Sequence, residues 1–334
     1  MENNNFRERR MRKITYSEAI REALIEEMTK DPNLFLIGED IGWRGGVFKA
    51  TKDLYGMFPN RIMDTPISES AIAGTAYGAA ITGSKVCAEI MYMDFSFLAM
   101  DQIINSAAKS RYMFGGQAKV PVVYRMPCGS GRQQAAQHSQ NLEVLYAHIP
   151  GLKVIMPSTP YDAKGLLKSA LNDHNPIVFV EPKALYFIEG EVPEDEYYVP
   201  IGVADIKKSG KDVTVVAISS MVPRALTVAE EMEKGGISVE VIDPRTIRPL
   251  DKETILKSLQ KTGRLVIVHE APTTYGMGAE IAALAVEQGF DFLDAPVIRI
   301  GGKECPIPYN RTLEANAIPT EKDIRDGIEK VLSC

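Results

Sequence analysis

The sequence is poor in the residues that cross-link a fold or hold a transition metal. Its 334 residues include only four cysteines and four histidines, and no two cysteines form a Cys-x-x-Cys pair. This scatter argues against a disulfide framework and against a dedicated zinc site. Long apolar runs are also lacking, and the polar start at residues 1–5 has no secretory-signal core. We therefore expect a soluble intracellular protein with no membrane partner. The arginines near the N-terminus do not form a transit-peptide pattern, which favours the cytoplasm over the mitochondrial matrix.

Charge of one sign does not dominate the chain either. Lysine and arginine number 38 against 44 acidic residues, which gives a net charge of −6. One basic cluster stands near the N-terminus, and we interpret it as a solvated leader: Arg7, Arg9, Arg10, Arg12 and Lys13. No nucleic-acid partner is expected.

The order of apolar segments indicates an α/β protein with two domains. A capping box at Thr15 and Glu18 predicts a helix over 16–30. Further on, strands and helices alternate, which is typical of parallel sheets with helices on both faces; the predicted strands are 34–37, 85–92, 120–124, 152–156 and 177–181. A second such pattern runs from 213 to a last helix at 321–332 and predicts a self-contained C-terminal domain.

Between these two patterns the apolar residues show neither helical nor strand periodicity. Residues 184–200 are acidic and carry glycine and proline, which predicts a solvated linker. We place an N-terminal domain at 1–190, a linker at 191–204 and a C-terminal domain at 205–334.

The segment 64–80 contains the first candidate site residue, Glu69. Pro66 disfavours helix for the residue before it and Ser68 can cap a helix that begins after it, so Glu69 should stand in a first helical turn. It can simply complement the helix dipole. A poorly solvated carboxylate beside a helix rich in alanine and glycine can instead transfer a proton.

Two further candidates follow predicted strands, where α/β folds place ligand contacts. Phe95 stands at a strand-to-helix junction, and ordinary core packing is its alternative. His138 lies in the polar, glycine-bearing segment 128–140, and its alternative is a surface histidine in a mobile loop. The acidic loop that begins at Gly38-Glu39-Asp40 is a weaker candidate for a site wall.

With these residues in view, the chain resembles the β subunit of the thiamine-diphosphate-dependent first component of 2-oxo acid dehydrogenase complexes. The pyruvate and branched-chain types and acetoin dehydrogenase are all similar to it. The resemblance extends from Tyr16 to the last helix and rests on these segments: 38–40 (Gly-Glu-Asp), 64–69 (Asp-Thr-Pro-Ile-Ser-Glu), 101–105 (Asp-Gln-Ile-Ile-Asn), 136–140 (Ala-Gln-His-Ser-Gln), 150–154 (Pro-Gly-Leu-Lys-Val), 162–166 (Asp-Ala-Lys-Gly-Leu), 243–251 (Asp-Pro-Arg-Thr-Ile-Arg-Pro-Leu-Asp) and 306–309 (Pro-Ile-Pro-Tyr).

The resemblance implies a pyrimidine-binding N-terminal domain and a transketolase-type C-terminal domain. Carried over by position, Glu69 would hydrogen-bond the aminopyrimidine ring of thiamine diphosphate and serve the proton exchange that activates it. Phe95 would stack on that ring, and the backbone of Ile67 would line its edge. His138 would face the substrate as a proton donor.

The resemblance also implies a monovalent cation site for K+. Its oxygen ligands would come from Val122, Ala170, Leu171, Asp173 and Asn175. Oxygen ligation suits a hard cation, although Val122 and Leu171 have only backbone carbonyls to offer.

One family element is missing from the sequence. Thiamine enzymes usually hold the diphosphate and Mg2+ through a Gly-Asp-Gly motif, and this sequence has none. The resemblance therefore implies an α subunit that supplies Mg2+ and the diphosphate site, in a heterotetramer of two α and two β chains. A single-chain transketolase-like enzyme is disfavoured for the same reason.

The implied reaction is decarboxylation of a 2-oxo acid and transfer of its acyl group to a lipoyl-bearing dihydrolipoyl acyltransferase. Pyruvate is the favoured substrate. Residues 132–134 and 184–187 depart from the common pattern, the latter as reminiscent of acetoin-type as of pyruvate-type chains. The alternatives are an acetoin dehydrogenase β subunit and a β chain that mainly docks the acyltransferase core.

Overall fold

The computed structural model describes residues 10–334, so Arg7 and Arg9 of the basic cluster lie outside it. Its strands are β1 Met11–Thr15, β2 Leu34–Gly38, β3 Ile62–Asp64, β4 Lys85–Glu89, β5 Val122–Cys128, β6 Lys153–Ile155, β7 Ile177–Pro182, β8 Glu189–Pro193, β9 Asp205–Lys208, β10 Val213–Ala217, β11 Val239–Asp243, β12 Thr246–Arg248, β13 Leu265–Pro272 and β14 Ile298–Gly302.

The helices alternate with these strands over most of the chain. They are α1 Tyr16–Lys30, α2 Leu54–Met57, α3 Glu69–Ile81, α4 Ser96–Met100, α5 Ala108–Met113, α6 Glu143–Ala147, α7 Pro160–Leu171, α8 Met221–Lys234, α9 Lys252–Thr262, α10 Met277–Gly289, α11 Arg311–Ala317 and α12 Glu321–Leu332. A π-helical segment, Asp101–Ala107, joins α4 to α5. The predicted capping box is confirmed, because the Thr15 and Glu18 side chains each bond the other's backbone at the start of α1.

Two mainly parallel sheets form the two halves of the molecule, which confirms the predicted α/β class. The first has the strand order β12-β6-β7-β5-β4-β2-β3, and the second has the order β14-β13-β10-β11-β9. Only β12 and β9 run antiparallel to their neighbours in these sheets within residues 10–334. The strands predicted from the apolar runs are present, with shifted ends. For example, β4 ends at Glu89, ahead of a short 3-10 turn at Met93–Phe95.

The prediction of a self-contained C-terminal domain is wrong. Strand β12 follows β11 of the second sheet, yet Thr246 pairs with Ile155 of β6 in the first sheet. One apolar core cluster also includes buried side chains from both sheets, among them Val178 and Ile242. The two halves therefore share a strand and part of a core.

The segment predicted as an irregular linker is partly regular. Strand β8 runs to Pro193 and pairs antiparallel with β1. Beyond it, Val199 is buried, and its backbone bonds Gly165 and Ser169 of α7. The acidic residues 194–196 are exposed, as the linker prediction expected. The domain bounds themselves stay a prediction.

A buried arginine joins the central strands of the first sheet. The Arg125 guanidinium donates two hydrogen bonds to the Glu181 carboxylate, at 2.6 and 2.8 Å, and a third to Glu89 at 2.8 Å. Glu89 is the last residue of β4, Glu181 the last but one of β7, and Arg125 the middle residue of β5, and all three are buried. The guanidinium thus links three adjacent strands, close to the ends of β4 and β7.

We expect Arg125→Met to lower the free energy of unfolding by about 3–5 kcal/mol, because it leaves two buried carboxylates without their cation. Urea unfolding of the purified chain measures this change. Arg325→Met is the matched control, since Arg325 forms an ion pair with Glu231 on the surface. Equal stability of the two variants would contradict this role for Arg125.

Candidate functional site

The candidate residues gather at one edge of the first sheet. Glu69 follows β3, Glu39 follows β2, Phe95 follows β4 and His138 follows β5. These strands are parallel and neighbours in the order β5-β4-β2-β3. Their carboxyl ends therefore open on the same side, where α/β folds bind ligands.

Glu69 is the first residue of α3, as the sequence predicts, and it is 4% exposed. Ser68 occupies the position before it, but its side chain makes no capping bond, so that expectation is wrong. The Ser68 carbonyl instead accepts a hydrogen bond from the Ile72 backbone at 2.9 Å. The carboxylate of Glu69 thus lies buried at a helix N-terminus, close to a second acid.

That second acid is Glu39. Burial raises the pKa of the Glu39 carboxyl, and the negative charge of Glu69 raises it further. One Glu39 carboxyl oxygen, Oε1, and the Thr65 hydroxyl are buried without a hydrogen-bond partner in the described part of the chain. A buried, unpaired polar group is costly, so these atoms are suited to a polar ligand.

Three rings form the neighbouring part of the site. The Tyr92, Phe95 and His138 rings pack edge to face, with the His138 centroid 4.9 Å from Tyr92 and 5.1 Å from Phe95. Phe95 and His138 are both half-buried. The imidazole therefore packs against two aromatic rings, which differs from the alternative of a surface histidine in a mobile loop.

Sequence reasoning missed Lys183, which follows β7 and is fully buried. Its ammonium group donates hydrogen bonds to the backbone carbonyl of His138 and, at 2.7 Å, to Gln134 Oε1. Burial lowers the pKa of Lys183. A lysine three residues after the apolar run 177–180 was the available signal, because a position that close to a buried strand is rarely left to an unpaired cation.

The remaining predicted residues lie at the periphery of this edge or away from it. Ile67 is 81% exposed in the turn before α3. Of the predicted cation ligands, Asp173 and Asn175 are in contact, since the Asn175 backbone donates to Asp173 Oδ1 at 2.8 Å. Lys153 also pairs with the Asp173 carboxylate. The five residues predicted to bind a monovalent cation therefore stay a prediction.

Two classes of feature are absent from the described residues. Between residues 10 and 334 there is no cluster of three or more histidine, cysteine, aspartate or glutamate side chains suited to a metal ion. In the same range, no helix has both the length and the apolar character to cross a bilayer.

Comparison with known proteins identifies both halves of the chain. The model of the transketolase pyrimidine-binding domain matches residues 12–188, and the model of the transketolase C-terminal domain matches residues 202–324. A solved structure described as a split-gene transketolase, an inactive beta4 tetramer, superposes with a TM-score of 0.80. It covers 96% of this chain and 98% of that chain at 24% identity, which supports the fold alone.

Curated relatives are more similar in sequence. The β subunit of acetoin:2,6-dichlorophenolindophenol oxidoreductase from Cupriavidus necator is 46% identical, over 96% of this chain and 98% of that protein. The β subunit of the pyruvate dehydrogenase E1 component from Rickettsia conorii is also 46% identical, over 95% and 98%. The Bacillus subtilis acetoin subunit is 46% identical over 94% and 95%.

Removal of the buried ammonium group should loosen the His138 segment. We expect Lys183→Met, which keeps the length of the apolar stem, to speed amide hydrogen exchange in residues 134–140 about tenfold, because a hydrogen bond to a charged group contributes about 1.5–3 kcal/mol. Mass spectrometry of peptic peptides measures the rate. Lys257→Met is the control, since Lys257 pairs with Glu253 on an exposed helix face. Exchange at the wild-type rate would rule out this anchoring role.

Proposed function

This chain belongs to the family of pyruvate and acetoin dehydrogenase β subunits with transketolase-type domains, and we propose that it acts with an α subunit as a thiamine-diphosphate-dependent pyruvate dehydrogenase. The observation that carries the proposal is the buried Glu69 carboxylate at the N-terminus of α3, on the same sheet edge as Phe95 and His138. The relatives are enzyme subunits, and this chain is accordingly one subunit of an oxidoreductase.

The residues at this edge fit an aminopyrimidine ring. Such a ring has both hydrogen-bond donors and acceptors, and the unpartnered Glu39 Oε1 and Thr65 hydroxyl offer complementary groups. Strands β3 and β4 are separated only by β2, so their ends lie about 10 Å apart, which leaves room for a flat ring between Glu69 and Phe95. Bound thiamine diphosphate supplies the nucleophilic carbon and the electron sink for decarboxylation.

Each residue then has a role that its surroundings support. Glu69 holds and moves a proton at the pyrimidine ring nitrogen, because its carboxylate is shielded from water. The half-buried Phe95 ring packs on the pyrimidine, and the exposed turn at Ile67 lines the ring edge through its backbone. His138 donates a proton near the substrate carbonyl, where its ring is oriented by Tyr92 and Phe95.

The rest of the enzyme comes from partners. We infer that the α subunit holds Mg2+ and the diphosphate, in a heterotetramer of two α and two β chains. The acyl group passes to a lipoyl group of a dihydrolipoyl acyltransferase. A K+ ion at the carbonyls of Val122, Ala170 and Leu171, with Asp173 and Asn175, would support the structure at a distance from the reacting atoms.

Acetoin cleavage is the second candidate, because the acetoin and pyruvate relatives are equally similar to this chain. The two reactions differ in product: acetoin yields acetaldehyde beside the acyl unit, whereas pyruvate yields carbon dioxide. A third alternative is a β chain that mainly docks the acyltransferase core while its partner does the chemistry.

Glu69→Ala separates the catalytic proposal from the docking alternative. We expect the variant, co-expressed with the α subunit, to lose about 10²–10⁴-fold in kcat, which is the usual contribution of a positioned acid or base. Glu321→Ala is the control, because Glu321 also stands in a first helical turn but at the surface. Full activity of the Glu69 variant in an intact complex would support docking and contradict the catalytic role.

Substrate identity requires a separate measurement. The α/β enzyme is given thiamine diphosphate, Mg2+ and the dye 2,6-dichlorophenolindophenol, with pyruvate or acetoin in parallel, and carbon dioxide and acetaldehyde are quantified. We expect at least tenfold higher kcat/KM for pyruvate, a preference that takes about 1.4 kcal/mol of differential transition-state binding. The reverse preference, with acetaldehyde released, would assign the chain to acetoin cleavage.

A further inference from the structure

The segment that carries His138 forms a closed loop whose two ends meet. The Gly129 backbone donates a hydrogen bond to the Gln140 carbonyl at 3.2 Å. At the same place, Glu270 Oε1 accepts hydrogen bonds from the Ser130 backbone at 2.6 Å and from the Asn141 side chain at 3.2 Å. Residues 129–141 therefore form an Ω-loop with a carboxylate at its neck.

Glu270 belongs to the other half of the molecule. It lies in β13 of the second sheet, is 6% exposed, and its second oxygen accepts a hydrogen bond from Ser220 at 2.6 Å. The fit at the neck is close, since a Cβ at Gly129 would lie 2.8 Å from Glu270 Oε1. Gly129 also has a φ of +80°, a conformation that favours glycine.

A second carboxylate from the C-terminal half binds the first limb of the loop. Glu314, in α11, is 4% exposed, and its Oε1 accepts from the Gly131 backbone at 2.8 Å. Its Oε2 accepts from the Gln133 backbone at 3.1 Å. Hydrogen bonds to a buried carboxylate are stronger than those between neutral groups, so they can fix the path of a polar loop.

The second limb is bound from the N-terminal half. Lys183 bonds the His138 carbonyl and the Gln134 side chain, and Gln134 in turn donates to the Tyr92 hydroxyl at 2.8 Å. The loop is thus held at its neck by Glu270 and on its first limb by Glu314, both from the C-terminal half, and on its second limb by an ammonium group of the N-terminal half. His138 lies on the limb that faces Tyr92 and Phe95.

We propose that Glu270 and Glu314 are positioning residues through which the C-terminal half sets the place of His138 at the edge of the first sheet. They act on backbone amides of the loop and not on the reacting atoms. The effect on turnover rests on the proposed role of His138, whereas the effect on the loop does not.

Trypsin tests the structural part in the α/β holoenzyme, because Arg132, exposed on the first limb between Gly131 and Gln133, offers a cleavage site next to the Glu314 contacts. We expect Glu314→Ala to speed cleavage after Arg132 about tenfold, as the loss of hydrogen bonds to a charged group implies. Glu314→Gln, which keeps an acceptor oxygen, should show a smaller increase. Asn316→Ala, an exposed change on the same helix, is the control and should match wild type.

Turnover tests the positioning part. We expect kcat of Glu314→Ala to fall about tenfold with pyruvate or acetoin, whichever the enzyme uses, while Kd for thiamine diphosphate stays within about twofold. Glu314→Gln should recover most of kcat. General destabilisation would instead weaken cofactor binding together with kcat.

Two results would overturn the proposal. One is cleavage after Arg132 at the wild-type rate in both Glu314 variants, and the other is a faster-cleaved variant with unchanged kcat. If Glu314→Ala does not fold, Glu314→Gln alone decides by the same two readouts. Inactivity of the wild-type holoenzyme on both substrates would contradict the proposed function, and the trypsin result would still decide whether Glu314 holds the loop.

Discussion

The ion pairs of the buried Arg125 are the interaction on which the site edge depends. Glu89 and Glu181 lie at or next to the carboxyl ends of β4 and β7, and the Arg125 guanidinium from β5, the strand between them, bonds both carboxylates away from water. Charges buried in this way are tolerated only when they remain paired, so the ends of β4, β5 and β7 cannot separate freely. Phe95, His138 and Lys183 each follow one of these strands. The positions of all three therefore depend on one guanidinium.

The two halves of the molecule meet again at the His138 loop. A loop of thirteen residues, 129–141, has considerable conformational freedom unless it is bonded to its surroundings, and here buried carboxylates and a buried ammonium group provide those bonds. Strand β12 adds a second connection, since it follows β11 of the second sheet along the chain and pairs with β6 of the first sheet. A movement of one half against the other would consequently change the place of His138.

Local signals in the sequence predicted much of the fold. The Thr15 and Glu18 capping box fixed the start of α1, and the helix that begins at Glu69 was readable from Pro66 and Ser68, although Ser68 makes no capping bond. The contacts that hold the site were not readable, because they join residues far apart: Ser130 with Glu270 and Gly131 with Glu314. The spacing of residues along the chain gives no indication of contacts between positions so far apart. Strand β12 was missed for a related reason, since three residues are too few for a pattern.

We propose that this chain completes a catalytic site only together with an α subunit. The most direct measurement is decarboxylation of pyruvate, with acetoin cleavage in parallel, by the chain alone and by the chain co-expressed with its α partner, in the presence of thiamine diphosphate and Mg2+. We expect turnover by the co-expressed α and β chains and none by the β chain alone. Robust turnover by the chain alone would contradict this proposal.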